Sequence, residues 1–186
     1  KRDRVMRKLI PSCGDGHLQS RGDAFTTLAR SIVGQQISVK AAQSVWERFA
    51  ALVGSDSARL HPELVLALDD EVKRSAGLSK RKVEYLNDLA THFASGSVHV
   101  AQWQKMDDEA IVEELVAIRG IGRWTAEMFL IFHLMRPNVL PLDDLGLIID
   151  DAGVTGALAS DLAGILAADS DRRIKMLSLD LGGWDT

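Results

Sequence analysis

IRGIGRWT, residues 118–125, is a break in a chain that otherwise has the apolar spacing of helices. The residues before it, DDEAIVEELVA (107–117), and after it, AEMFLIFHLM (126–135), both place apolar side chains three and four positions apart. Two glycines, Gly120 and Gly122, would destabilise a continuous helix at its centre. The stretch therefore predicts two helices joined by a tight glycine turn, a hairpin that spans residues 107–135.

The composition of this turn suits an anion. Ile118 and Ile121 can point inward, Gly120 and Gly122 keep side chains off the outer surface, and the second helix begins at once. Backbone N–H groups beside a helix N-terminus attract phosphate oxygens, and the missing side chains allow close approach. A hairpin that serves packing alone is the alternative.

Helical patterns cover most of the remaining chain. The first helix carries an inward stripe of Phe25, Leu28, Ala29, Ile32 and Val33, and Asp23 is its expected cap. The next is expected to start at Ser38, end at Gly54 and bury Ala41, Val45, Phe49 and Leu52. The predicted helices are 22–34, 38–54, 62–68, 69–75, 79–95, 107–117 and 123–135. Only SVHVAQW (97–103) alternates weakly like a strand, so the predicted class is all-α.

Composition limits the classes of function. The single cysteine, Cys13, excludes a disulfide framework and an iron–sulfur cluster or four-thiolate zinc site built from this chain alone. The chain lacks an 18-residue apolar run and a signal-peptide pattern, so we expect a soluble cytoplasmic protein with no membrane partner. The net charge of −4 argues against a broad electrostatic grip on nucleic acid, although basic clusters at 1–8, 79–82 and 118–123 allow a local basic face.

A second motif follows the hairpin. RPNVLPLDDLGLI (136–148) supplies two aspartates, and Asp144 lies 24 residues beyond Gly120. IRGIGRWTA with this aspartate resembles the helix-hairpin-helix signature of the DNA glycosylase superfamily, in which a glycine/proline-rich loop precedes a catalytic aspartate. LARSIVGQQISVKAAQSVWERF (28–49) and AGLSKRKVEYLNDLA (76–90) are similar to the bacterial 3-methyladenine DNA glycosylase II branch. The resemblance covers roughly residues 20–147.

The resemblance implies an architecture and an activity. Two helical subdomains would flank a cleft: a central one at about 24–135, and a second formed by segments 1–22 and 136–186. The enzyme would act as a monomer, nucleoid-associated when acting, on double-stranded DNA containing alkylated bases. It would flip out an alkylated purine such as 3-methyladenine and hydrolyse its N-glycosidic bond, leaving an abasic site.

The resemblance also implies residue roles. Asp144 would be the catalytic carboxylate, with Asp143 as a helix cap, and Trp124 and Met128 would bind the base. A lysine replaces Trp124 in bifunctional relatives, and tryptophan cannot form a Schiff base, so a monofunctional glycosylase without lyase activity is expected. The expected DNA contacts are Gln35, Gln36, Arg119, Gly120, Ile121, Gly122, Arg123 and Thr125. Carbonyls of Val116, Ile118 and Ile121 would hold a structural Na⁺ or K⁺.

Alternatives stay open at this point. Gln35 and Gln36 could satisfy exposed backbone at a helix junction, and Trp124 could be buried between subdomains. Residues 148–186 depart from the family pattern, so the chain could be a non-catalytic helix-hairpin-helix DNA-binding module that has lost its pocket. An α-helical interaction protein without a nucleic-acid partner is the third reading.

Overall fold

The computed structural model describes residues 20, 22–54 and 59–142. These residues form seven α-helices and one short 3₁₀ helix, with no strand among them, so the all-α prediction is confirmed. The helices are α1 (Ala24–Gly34), α2 (Val39–Val53), α3 (Pro62–Ala67), α4 (Asp70–Ser75), α5 (Lys80–Ala94), the 3₁₀ helix (Trp103–Lys105), α6 (Asp108–Val116) and α7 (Arg123–Phe132).

Helix α1 forms as its sequence predicts. The Asp23 side chain accepts a hydrogen bond from the backbone N–H of Thr26 at 3.0 Å, which satisfies one of the first-turn amides. The residues of the predicted stripe are all buried: Phe25, Leu28, Ala29, Ile32 and Val33. The stripe faces α2 and α5, and burial of this face fixes the orientation of the helix.

Helix α2 has the predicted caps but a rotated inner face. Ser38 caps its N-terminus, and Gly54 ends it in the left-handed conformation with φ 70°. The inner face consists of Val45, Trp46, Phe49, Ala50 and Val53, whereas Ala41 is exposed and Leu52 is 38% exposed. The prediction for those last two was wrong because Trp46 offers far more apolar area than Ala41, and burying it turns the helix.

Helix α5 lies at the centre of the packing. It contacts α1, α3 and α4, and it buries Val83, Leu86, Leu89 and Ala90. A chain of edge-to-face aromatic contacts continues from it: Phe93 meets Phe25 of α1 at 5.3 Å and Trp103 at 6.4 Å, and Trp103 meets Phe129 of α7 at 5.6 Å between ring centroids. These rings anchor the second hairpin helix to the rest of the core.

The weakly alternating segment SVHVAQW forms turns that lead into the 3₁₀ helix, which agrees with the all-α prediction. The predicted end of the last helix was wrong. Helix α7 ends at Phe132 rather than at 135. Its last amides converge, because His133 and Leu134 both donate to the carbonyl of Phe129, and Met135 then adopts φ 58°, which turns the chain away.

The expected second subdomain, 1–22 and 136–186, falls almost entirely outside the described residues and stays a prediction. Across the described part, no helix combines the length and the apolar character needed to cross a membrane.

Candidate nucleic-acid interface

The hairpin turn between α6 and α7 is anchored by its two isoleucines. Ile118 is 1% exposed and Ile121 is 4% exposed, and the backbone N–H of Ile121 donates to the carbonyl of Ile118 at 3.1 Å. The prediction that both side chains point inward is confirmed. Because the apolar side chains face the core, the backbone between them is held at the surface of the hairpin.

Gly120 is required for a reason other than the one the sequence predicts. Its φ is 88°, a conformation that side chains rarely adopt, and a Cβ atom here would overlap the ring of Tyr85. The open side of Gly120 therefore receives Tyr85 of α5 instead of facing outward. The expectation that both glycines clear the outer surface was wrong for Gly120.

Gly122 does face open space. Its backbone is extended (φ −90°, ψ 170°), it is exposed, and a Cβ atom would meet nothing within 4 Å among the described residues. It occupies the N-cap position of α7, and no described side chain caps this helix. The first-turn amides of α7 lack acceptors within their own helix and carry the positive end of its dipole. The geometry can accommodate an anion there.

Arg123, the first residue of α7, is engaged by two carboxylates. Its Nη1 and Nη2 each donate to a different oxygen of Glu109 at 2.7 Å, and its Nε donates to Glu127 at 3.0 Å. Hydrogen bonds to Glu109 raise the pKa of Arg123, and the same bonds lower the pKa of Glu109. Arg123 thus meets any phosphate as part of an ionic cluster, not as an isolated cation.

Arg119, in the hairpin turn, is likewise paired with two carboxylates, both on α5. Its backbone N–H donates to the Asp88 carboxylate at 2.8 Å, and its guanidinium donates to Glu84 at 3.3 Å. The Arg119–Glu84 pair is solvent-exposed, so it contributes little stability and can exchange its partner readily. Of the two arginines, Arg119 is the easier one to redirect toward a phosphate.

Gln35 and Gln36 follow α1 and differ in exposure. The Gln35 side chain is partly buried, and its Nε2 donates to the carbonyl of Gly120 at 2.9 Å. This contact agrees with the alternative interpretation of Gln35, in which its side chain satisfies a backbone polar group. Gln36 is exposed and has φ 60°, so its side chain is presented at the surface from an unusual backbone conformation.

The predicted base-binding residues lie along the first two turns of α7. Trp124 and Met128 are four residues apart, which places them on one face of the helix, and both are partly buried, as is Thr125. The predicted catalytic Asp144 and its neighbour Asp143 lie outside the described residues. Their roles stay predictions.

The expected monovalent cation would use backbone oxygens alone. The Ile118 carbonyl already accepts the Ile121 N–H and has a second lone pair, so its use by the turn leaves room for a cation. Oxygen ligands suit Na⁺ or K⁺, which are hard cations. No cluster of His, Cys, Asp or Glu able to hold a metal occurs among the described residues.

The sequence missed three residues that shape this surface: Tyr85 under Gly120, Asp88 on the Arg119 amide, and Glu109 on Arg123. Tyr85 and Asp88 lie in the segment 76–90 that carried the resemblance, so their region was identified but their roles were not. Glu109 stood in an acidic cluster with no visible partner. Pairs this far apart in sequence have no periodic signal.

Comparisons with known proteins agree with this geometry. Residues 29–155 match the family described as HhH-GPD superfamily base excision DNA repair protein. The chain is 33% identical over 141 residues to DNA-3-methyladenine glycosylase 1 of Schizosaccharomyces pombe, covering 75% of this chain and 61% of that protein. The chain thus spans less than two thirds of the length of this curated relative.

Two solved structures are similar. A DNA-3-methyladenine glycosidase from Bacillus halodurans has 39% identity and a TM-score of 0.72, over 78% of this chain and 66% of that one. A 3-methyladenine DNA glycosylase from Schizosaccharomyces pombe, in complex with abasic DNA, has 32% identity and a TM-score of 0.64, over 78% and 72%. The superfamily predicted from the hairpin is confirmed, and the names of these relatives match the predicted alkylation-repair branch. The chain belongs to the HhH-GPD superfamily of base excision DNA repair proteins.

Proposed function

We propose that this protein excises alkylated purines, such as 3-methyladenine, from double-stranded DNA. The observation that carries the proposal is the open N-terminus of α7 at Gly122, next to a turn whose two isoleucine side chains are buried. A DNA phosphate bound by these amides needs no broadly basic protein, which suits a chain of net charge −4. The names of the similar proteins support the same activity.

The chemistry we propose is hydrolysis at the sugar carbon. The target nucleotide leaves the base stack, since its glycosidic bond is inaccessible inside the duplex. The C1′–N bond breaks with its electron pair on the base, and positive charge develops on the sugar. The Asp144 carboxylate stabilises this charge and orients a water, whose oxygen bonds to C1′ while one of its protons passes to the carboxylate. An alkylated purine is electron-poor and leaves readily, so one carboxylate suffices.

Trp124 and Met128 would form one wall of the base pocket. Both lie on one face of α7, directly beyond the turn that receives the phosphate. An indole attracts a cationic base through its π face, which favours methylated over ordinary purines. Position 124 holds no amine, so we propose a monofunctional enzyme that leaves the abasic site uncut. We further propose that the protein acts as a monomer and that carbonyls of Val116, Ile118 and Ile121 bind Na⁺ or K⁺.

The test measures the release of 3-methyladenine from methylated duplex DNA, with the free base detected by chromatography. Asp144→Asn should abolish release and retain binding to a duplex with an abasic-site mimic, because it removes the charge and not the hairpin. Asp143→Asn, which removes the neighbouring carboxylate, is the matched control and should retain most activity. Borohydride reduction during turnover should trap no covalent protein–DNA adduct.

Two results would contradict the proposed glycosylase activity. If the wild-type protein binds the abasic duplex in a salt-dependent way but releases no base from any alkylated duplex, it is a DNA-binding module without catalysis. If it does not bind DNA at all, the hairpin serves another partner.

A further inference from the structure

We infer that Gln35 is a positioning residue, which fixes the exposed Gln36 relative to the hairpin turn through its hydrogen bond to Gly120. The inference rests on the proposed function, because it assigns Gln36 the DNA contact and assigns Gln35 the task of placing it. Gln35 and Gln36, which from sequence have the same expected role as DNA contacts, thus have different roles.

The segment 34–37 forms a tight turn. Gln35 has φ −53° and ψ 131°, Gln36 has φ 60°, and the N–H of Ile37 donates to the carbonyl of Gly34 at 3.4 Å. These values describe a type II turn with Gln36 at the third position, where glycine or asparagine is favoured. A glutamine here is conformationally costly, so the surroundings must hold it in place.

Two long side chains hold this region in place. Gln35 Nε2 donates to the Gly120 carbonyl at 2.9 Å, a contact between residues 85 positions apart. On the other side, Lys82 Nζ donates to the carbonyl of Val33 at 2.6 Å, and burial lowers the pKa of Lys82. The turn is therefore tied to the hairpin by Gln35, and the end of α1 just before it is tied to α5 by Lys82.

Helix α5 supports the hairpin as well. Asp88 of α5 accepts the N–H of Arg119, and the Tyr85 ring fills the space beside Gly120. The two loops thus rest on one helix and are joined directly by Gln35. Their relative position is set within the protein before any DNA arrives, and a phosphate held at Gly122 would place Gln36 at a fixed point along the duplex.

Gln35 and Gln36 divide the work by exposure. Gln35 is partly buried and its amide nitrogen is used by the hairpin, whereas Gln36 is exposed. A side chain that contacts a disrupted base pair must be free to reach it, and Gln36 meets this condition. Loss of Gln35 should then affect DNA through Gln36 alone.

A double-mutant cycle tests this coupling. Gln35→Met keeps the length and removes the donor; Gln36→Gly removes the contacting side chain and suits the positive φ. The readout is discrimination, the Kd for undamaged duplex divided by the Kd for duplex with an abasic-site mimic. Gln35→Met should lower discrimination about three- to tenfold in the wild-type background and have no further effect in Gln36→Gly. Binding to undamaged duplex should change less than about twofold, because the hairpin amides are intact.

Other outcomes would overturn either this inference or the proposed function. Equal losses in both backgrounds, or parallel losses on undamaged duplex, would overturn the inference and leave Gln35 a general structural residue. A wild-type protein without discrimination would instead overturn the proposed function. If Gln35→Met does not fold, Gln35→Leu, which removes the donor without adding charge, is measured in the same cycle with the same expectation.

Discussion

Both terminal nitrogens of the Arg123 guanidinium donate to the Glu109 carboxylate, each at 2.7 Å, so the first residue of α7 is bound to the helix on the other side of the hairpin turn. The pairing places a negative charge beside the amides that are open to an anion. Because the geometry is bidentate, a phosphate must share Arg123 with Glu109 or displace it. At the proposed DNA interface, Glu109 would therefore weaken the contact between the hairpin and a phosphate.

Removing that charge should tighten DNA binding. Glu109→Gln leaves Arg123 available to a phosphate and removes a repulsive carboxylate, so we expect the Kd for duplex DNA to fall roughly two- to fivefold at low salt. The slope of log Kd against log salt concentration should also steepen by about one, since one more cation contacts the backbone. Fluorescence anisotropy across a salt series measures both quantities.

The matched control is Glu113→Gln, an exposed glutamate of the same helix α6. It removes the same charge without freeing Arg123, so its salt slope should stay that of the wild type. Equal tightening by both variants would show that net charge, and not the Arg123 pair, limits binding.

Gly122→Ala should weaken DNA binding while the protein stays folded. The backbone at Gly122 is extended and a Cβ atom would enter open space, so the free energy of unfolding should fall by at most about 0.5 kcal/mol. The added methyl group would stand where a phosphate approaches the α7 amides, and we expect a Kd roughly tenfold higher. Anisotropy and urea denaturation on the same samples check the two halves of this prediction, and unchanged DNA affinity would move the phosphate site away from Gly122.

Gly120→Ala should have the opposite profile. Its positive φ and the Tyr85 ring both oppose a side chain, so we expect the free energy of unfolding to fall by about 1–3 kcal/mol. The double variant Gly120→Ala/Tyr85→Ala should lose less free energy of unfolding than the sum of the two single losses. The overlap with the ring disappears in it, while the backbone cost at position 120 remains. Urea denaturation of the single and double variants measures the coupling, and strictly additive losses would mean that Tyr85 does not enforce the glycine.

The elements of this fold could be predicted from sequence because their signals are local. The stripe of Phe25, Leu28 and Ile32 repeats within one helix, and the caps Asp23 and Ser38 stand next to the helices they start. The inward isoleucines of the hairpin were visible for the same reason. Periodicity and capping act over a few residues, so one sequence contains them.

The contacts that give the hairpin its chemistry could not be predicted in this way. Gly120 meets Tyr85 and Gln35 from two other parts of the chain, and Arg123 meets Glu109 across the turn. Such pairs form only when helices have packed. From sequence alone, Glu109 is an ordinary surface glutamate and Gln35 is an ordinary polar residue at a helix end. For this reason the position of the turn was predicted and the pairing of its arginines was not.

A half-buried histidine should make stability depend on pH near neutrality. His133 stacks on Phe129 at 4.5 Å between ring centroids and lies 3.3 Å from Thr27 Oγ1. Burial lowers the pKa of His133, an effect that the nearby Asp23 charge partly offsets. Between this lowered pKa and the ordinary histidine value of about 6.5, the unfolded chain binds a proton that the folded protein does not, so stability rises with pH through this window.

Melting temperatures measured from pH 7.5 down to 5 should therefore fall as the solution is acidified. His133→Gln removes the titrating group, so the variant should lose less of its melting temperature over the same interval, even if it starts lower for want of the Phe129 contact. His99→Gln is the control, because His99 is exposed and forms a close pair with Glu114 at 2.6 Å instead of being buried by the core. A pH profile of His133→Gln that runs parallel to that of the wild type would assign the acid sensitivity to other groups.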